Sequence, residues 1–258
     1  MKLEQLAVQL YTLREHLQQP EQIPETLRLV AEIGYRAIQV SGIGKDVPDE
    51  VVTAAAREHG LVICARHDPG GDILSDPAAV AARVKRMASA HTAYPFPAGI
   101  DFGDESSVAG LIEQLNRAGK IMAEAGVTLS YHNHHHEFRK LDGRIILERI
   151  FAETDPAYVK AELDTYWVQY GGGNPVAWCR RMAGRIPLLH LKDYRITDQA
   201  EITFAEIGAG NLDFVEIVEA AEAGGCEWFI VEQDECPGDP FESLRQSFEF
   251  ARNNLVRP

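Results

Sequence analysis

Val127-Thr-Leu-Ser-Tyr131, followed at once by His132-Asn-His-His-His-Glu137, is the stretch that decides the architecture. A short apolar run of strand length stops on imidazoles and a carboxylate, and the pattern recurs downstream. Val159-Lys-Ala-Glu-Leu163 runs into Asp164, Ile186-Pro-Leu-Leu189 into His190, and Trp228-Phe-Ile-Val231 into Glu232. Polar groups at the ends of successive buried strands are what an enzyme needs at a barrel mouth, where the chemistry of such folds sits.

Outward from these four runs the chain alternates strand and helix. Leu6–Tyr11, Tyr35–Val40 and Leu61–Ala65 read as strands, and helical spacing follows each, stopped by Gly34 and Gly60 or opened by Pro48 and Pro77. Thr92-Ala-Tyr-Pro-Phe-Pro97 is the weakest strand, because a central strand tolerates proline poorly. Helix 105–125, strand 127–132, helix 144–153, strand 159–164, helix 175–183, strand 186–191, helix 212–223, strand 228–232 and a helix from Pro240 complete eight units. Such alternation predicts a parallel sheet. A doubly wound sheet would carry a glycine-rich turn after the first strand, whereas Thr12-Leu-Arg-Glu-His16 follows Tyr11. The expectation is a single α/β domain over residues 1–258, a (β/α)₈ TIM barrel.

Composition narrows the function. The net charge is −14, and no Lys/Arg cluster is present, which argues against a nucleic-acid partner. Met1-Lys-Leu-Glu-Gln-Leu6 does not read as a signal peptide, and no apolar run is long enough to span a bilayer. Cys64, Cys179, Cys226 and Cys236 show no CxxC spacing. A cytoplasmic enzyme acting on a small molecule, without membrane contact, is expected; a homo-oligomer is compatible with the sequence.

Asp164, His190 and Glu232 end three strands and are expected to converge, giving a hard-to-borderline ligand set for Mn²⁺, Co²⁺, Mg²⁺, Fe²⁺ or Zn²⁺. Taken singly, each could as well be a capping acid or a hydrogen-bonded loop histidine. His134 shares a strand face with His132 by the period of two and is a candidate for substrate. His67, at the end of the third strand, and Lys192, one alternation beyond His190, are further candidate substrate contacts; Tyr166 and Trp167 could wall a sugar face. Gly208-Ala-Gly210 reads as a turn.

Gln9-Leu-Tyr-Thr-Leu-Arg14, Tyr131-His-Asn-His-His-His-Glu-Phe138, Leu163-Asp-Thr-Tyr-Trp167, His190-Leu-Lys-Asp193 and Val231-Glu-Gln-Asp234 together resemble the sugar phosphate isomerase/epimerase group of the xylose-isomerase-like barrel superfamily, over essentially the whole chain. The resemblance implies one divalent metal, manganese before the others, held by Glu, Asp, His and Glu of the last four strands. Asp164, His190 and Glu232 match three of these ligands. The first departs: where many relatives carry Glu-Asn-His, this chain has His132-Asn-His134. Glu137 is favoured to reach back and restore the carboxylate, with His132 as the alternative first ligand.

The chemistry expected is proton abstraction beside a carbonyl through an enediolate, with Glu137 and Glu232 as acid and base and His134 on substrate. Isomerisation or epimerisation of a sugar or keto-sugar is the leading outcome. Dehydration of an inosose or cleavage of a keto-glycoside is the alternative from the same intermediate. A phosphodiesterase of the endonuclease IV type would need more ligands on the early strands, which end in Gln9-Leu-Tyr11, Gln39-Val-Ser41 and Arg66-His67. A sugar-binding barrel without activity is the remaining rival. Specificity is assigned to loops 42–47, 68–76 and 95–104; the sugar, its stereochemistry, its phosphorylation and the metal stay open.

Overall fold

Each apolar run that ends on a polar residue forms a strand of one closed parallel barrel in the computed structural model, which describes residues 1–257. In chain order the barrel strands are Leu6–Gln9, Ala37–Val40, Val62–His67, His91–Tyr94, Thr128–His132, Val159–Asp164, Leu188–Leu191 and Trp228–Val231. Each pairs with its sequence neighbour, and the last closes on the first through Leu6↔Phe229 and Val8↔Val231. The (β/α)₈ barrel expected from the alternation is therefore the fold.

The fourth strand is a full member, because it stops at Tyr94, one residue before Pro95. The prolines lie in the loop beyond, so no ladder hydrogen bond is lost. The first strand is shorter than expected: Leu10–His16 turns into 3₁₀ helix, with the Gln9 side chain accepting from the Tyr11 amide. Local pattern also missed short elements at the barrel top. Among them are the helices Gly70–Ser75 and Thr165–Tyr170 and the antiparallel hairpin of Asp193–Ile196 with Ile202–Ala205.

The period of two sorts side chains into two cores. Outward residues such as Leu6, Val8, Ile38, Leu129 and Leu189 pack against the helix ring. Inward, Ala7, Ala37, Cys64, Ala65, Leu188 and Ile230 form a separate apolar plug in the barrel. Two residues further along the same inner faces stand Gln9, Gln39, His67, His190 and Glu232, all toward the strand C-termini. An apolar floor with a polar layer above it is thus written into the strands.

Helix ends are fixed locally. Asp104, Asn174 and Asp239 cap helices Glu105–Glu124, Pro175–Arg181 and Pro240–Asn254 by accepting backbone N–H bonds. The Gly208–Gly210 turn is tied down by Asp193, whose carboxylate accepts from the amides of Tyr194, Gly208, Gly210 and Leu212. Among the described residues, no helix is long and apolar enough to cross a membrane.

Candidate active site

Strand register stacks the polar residues in two tiers. Asp164 is level with His190, and Glu162 is level with His132 on one side and Leu188 on the other. The upper tier at the mouth is His132, Asp164, His190 and Glu232; the lower is His67, His132, Glu162 and His190. Within each tier one ligand-capable atom per residue lies within 4.8 Å of all the others. His132 and His190 belong to both.

In the upper tier His190 Nδ1 is 2.9 Å from Glu232 Oε2 and 3.8 Å from Asp164 Oδ2. Lys192 reaches in from the loop, its Nζ 2.8 Å from Glu232 Oε2, 3.1 Å from Asp164 Oδ2 and 3.1 Å from Asp234 Oδ1. Burial opposes charge on this ammonium, but three carboxylates outweigh it and hold its pKa well above the ordinary value. Burial likewise opposes ionisation of Glu232, and Lys192 and His190 overcome it, keeping the carboxylate well below the usual range. Asp164 has the opposite balance: burial dominates over Lys192 and His190 and lifts it to about 6.

The lower tier centres on Glu162. Its carboxylate is hydrogen-bonded to His67 Nε2 at 2.6 Å and accepts from Gln39 Nε2, while His132 Nδ1 stands 3.4 Å away. Burial alone would depress His190; Glu162 and Glu232 on its two sides raise it to about 10. His132 goes the other way, lowered to about 3 by burial and then by neighbouring His190. His134 is held strongly neutral, first by burial and then by His132 and Lys192.

A cavity of about 950 Å³ opens above the tiers, large enough for a drug-sized ligand. His67, His132, His134, Trp167, Lys192 and Glu232 line it, with Tyr11, Phe96 and Phe204 as aromatic walls. The three loops expected to govern specificity contribute Gly42–Lys45, Asp68 and Pro69, and Pro95 and Phe96.

Glu137 does not reach the cluster. The chain turns after His134 into the short 3₁₀ segment His136–Phe138, which points this carboxylate back into the protein. There it accepts from the Tyr131 hydroxyl at 2.8 Å and the His134 amide at 3.0 Å, fully buried. Burial raises its pKa to about 7 against those hydrogen bonds. Among the ligand-capable groups it is His132 that stands beside Asp164, His190 and Glu232. Tyr166 is also outside the cavity, stacked on Phe204 with ring centroids 4.4 Å apart. Glu162 is not marked by a strand end, because it lies inside strand Val159–Asp164. Its signal was the same period of two, since Glu162 precedes Asp164 by one alternation.

The closed parallel barrel and its His/carboxylate mouth define the class, and the comparisons give the family. The model of the xylose isomerase-like TIM barrel matches residues 27–254, and the chain belongs to that family. The inosose dehydratase of Geobacillus thermodenitrificans is 31% identical over 159 residues, 55% of this chain and 53% of that protein. That of Geobacillus kaustophilus is 32% identical over 169 residues, 57% of this chain and 52% of that protein. The chain thus aligns with about half the length of these curated relatives. Among solved structures, a sugar phosphate isomerase/epimerase from Parabacteroides distasonis superposes with a TM-score of 0.82 at 23% identity, covering 98% of this chain and 94% of that one. An L-ribulose 3-epimerase gives 0.72 at 17% identity, covering 97% and 94%.

Proposed function

We propose that the cavity enolises a small polyhydroxylated ketone of the keto-sugar or inosose class, with a divalent ion as cofactor and Glu232 as the base. The observation that carries this reading is the convergence of Asp164, His190, Glu232 and His132 beneath one cavity, which His132, Glu232 and Lys192 line. The donors suit a divalent ion, two imidazoles and two carboxylates. Beyond their contacts to Lys192 at 3.1 Å and to Glu162 at 3.4 Å, Asp164 Oδ2 and His132 Nδ1 make no hydrogen bond, which leaves both able to ligate an ion. When bound, the ion supplies Lewis-acid stabilisation of negative charge on the substrate oxygens.

The chain's own residues do the rest. Glu232, kept ionised by Lys192 and His190, takes the proton from the carbon beside the carbonyl. Lys192, the buried ammonium facing the cavity, donates a hydrogen bond to the oxygen on which charge develops. His134 and Trp167, with ring centroids 5.5 Å apart, form the adjoining wall, where His134 hydrogen-bonds a hydroxyl and Trp167 covers a sugar face. His67 contacts the substrate from the third strand.

Loss of a β-substituent from the enediolate is the favoured outcome, because Glu137, the expected partner of Glu232, is turned away to Tyr131 and the His134 amide. The names of the curated relatives, inosose dehydratases, support the same choice. Isomerisation or epimerisation starts from the same step and needs a group to return the proton; His134 lines the same cavity. The test is incubation of metal-loaded protein in D₂O with ketoses, inososes and 3-keto-glycosides, read by NMR. Deuterium beside the carbonyl with loss of water or an alcohol supports elimination; deuterated epimer or isomer supports the second outcome. No deuterium uptake by an ion-loaded protein across the panel overturns the reading.

A further inference from the structure

The lower tier is a cage in its own right. Glu162 and His190 are completely removed from solvent and His132 almost so, while the His67 side chain keeps 9% exposure, with one carboxylate among three imidazoles. A buried carboxylate carries a large desolvation cost unless a cation answers it, and here only an imidazolium or a metal ion can. Three imidazoles and one carboxylate form a tetrahedral set of the kind zinc takes. Bonds of about 2.0–2.1 Å put neighbouring tetrahedral ligands roughly 3.3 Å apart. Glu162 Oε2 lies 3.4 Å from His132 Nδ1 and its Oε1 3.5 Å from His190 Nε2, each near that spacing. The 2.6 Å contact to His67 Nε2 has to open by less than an ångström.

His190 decides how this tier relates to the mouth. Its Nδ1 faces Glu232 Oε2 at 2.9 Å, and its Nε2 faces Gln39 Oε1 at 2.7 Å and the lower tier. With the proton on Nδ1 and donated to Glu232, Nε2 is free for the lower tier, the carboxylate–histidine–metal relay common in metal sites. With the proton on Nε2 and donated to Gln39, Nδ1 is free for the mouth. A neutral imidazole offers only one of these at a time. At the mouth, moreover, Lys192 already stands against Asp164 and Glu232.

We propose that His67, His132, Glu162 and His190 form a second, tetrahedral metal seat below the mouth, filled in alternation with it and selective for a borderline divalent ion such as Zn²⁺ or Co²⁺. This rests on the reading that the barrel takes a divalent ion, not on the ketone chemistry. Gln39, which donates to Glu162, is its positioning residue, and its carbonyl accepts from His190 Nε2 only while this seat is empty.

The experiment is Co²⁺ titration of the metal-free full chain, read by visible absorption and by bound cobalt. One equivalent with the intense bands of tetrahedral cobalt is expected for the wild-type protein and for Asp164→Asn. Glu162→Gln and His67→Asn should each weaken binding at least tenfold and abolish the intense bands. Circular dichroism checks folding, and His67→Asn carries the test if Glu162→Gln does not fold. Binding that survives both lower-tier substitutions but is lost in Asp164→Asn overturns the lower seat while leaving the metal-dependent reading intact. Weak six-coordinate bands in the wild-type protein, or no cobalt bound, also overturn it. Failure of the ketone reading would show separately, as no deuterium uptake by a loaded protein.

Discussion

Replacing Glu137 with Gln separates a structural carboxyl from a catalytic one. Glu137 is fully buried, and burial lifts its pKa from 4.5 to about 7. Because the folded value lies above the unfolded one, the folded state holds the proton more tightly between them. Stability from this group is therefore present below about pH 4.5 and lost as pH rises through about 7. The shift corresponds to about 3 kcal/mol at 1.36 kcal/mol per unit. Gln does not ionise, so it removes this dependence. Its carbonyl can accept from the His134 amide and its NH₂ can donate to the Tyr131 oxygen, leaving a cost of about 1 kcal/mol at acid pH. For a chain of this size 1 kcal/mol moves Tm by about 2–4 °C. Between pH 5 and 8, where about 2.5 kcal/mol of this stability is lost, the Tm of the wild-type protein should thus fall roughly 5–10 °C further than that of the variant. Thermal melts across that range, alongside turnover at neutral pH, are the assay. Turnover should stay within a few-fold. A loss of about 10²-fold or more, the scale of a missing acid–base group, with parallel melting profiles would refute the placement and return Glu137 to the chemistry.

Three further outcomes are expected. Lys192→Met leaves Asp164, Glu232 and Asp234 facing one another without their cation, a loss of about 3–5 kcal/mol in denaturant melts that added divalent ion should partly restore; no loss would mean the ammonium does not hold the mouth together. Trp167→Ala should raise KM more than it lowers kcat, since the ring walls the cavity but carries no proton; an effect on kcat alone would speak against the wall. Gly119→Ala should destabilise by about 1–3 kcal/mol, because a Cβ there would lie 2.4 Å from the Tyr158 carbonyl oxygen; an unchanged melting midpoint would contradict the packing of helix Glu105–Glu124 on that loop.

The barrel was legible in the sequence because its cause is local. Apolar runs of strand length, separated by helical spacing and punctuated by glycine and proline, impose alternation, and alternation imposes parallel strands. The same period of two marked Asp164, His190 and Glu232, since strand-terminal residues share one end of any such barrel. Thr92–Pro97 misled only about where the strand stops, which proline sharpened at Tyr94. What lay outside local pattern was reach and depth. Glu137 follows His132 by five residues, and no spacing rule tells whether the loop folds over the mouth or back toward Tyr131; the buried hydroxyl and the His134 amide settled it. The depth of Glu162 depends on the stagger between strands, a property of barrel closure rather than of any strand. The sequence by itself determined the alternation and the polar layer at the strand ends. The tertiary structure decided which of those groups meet, because contact across a barrel is set by register and loop path, which only the closed fold supplies.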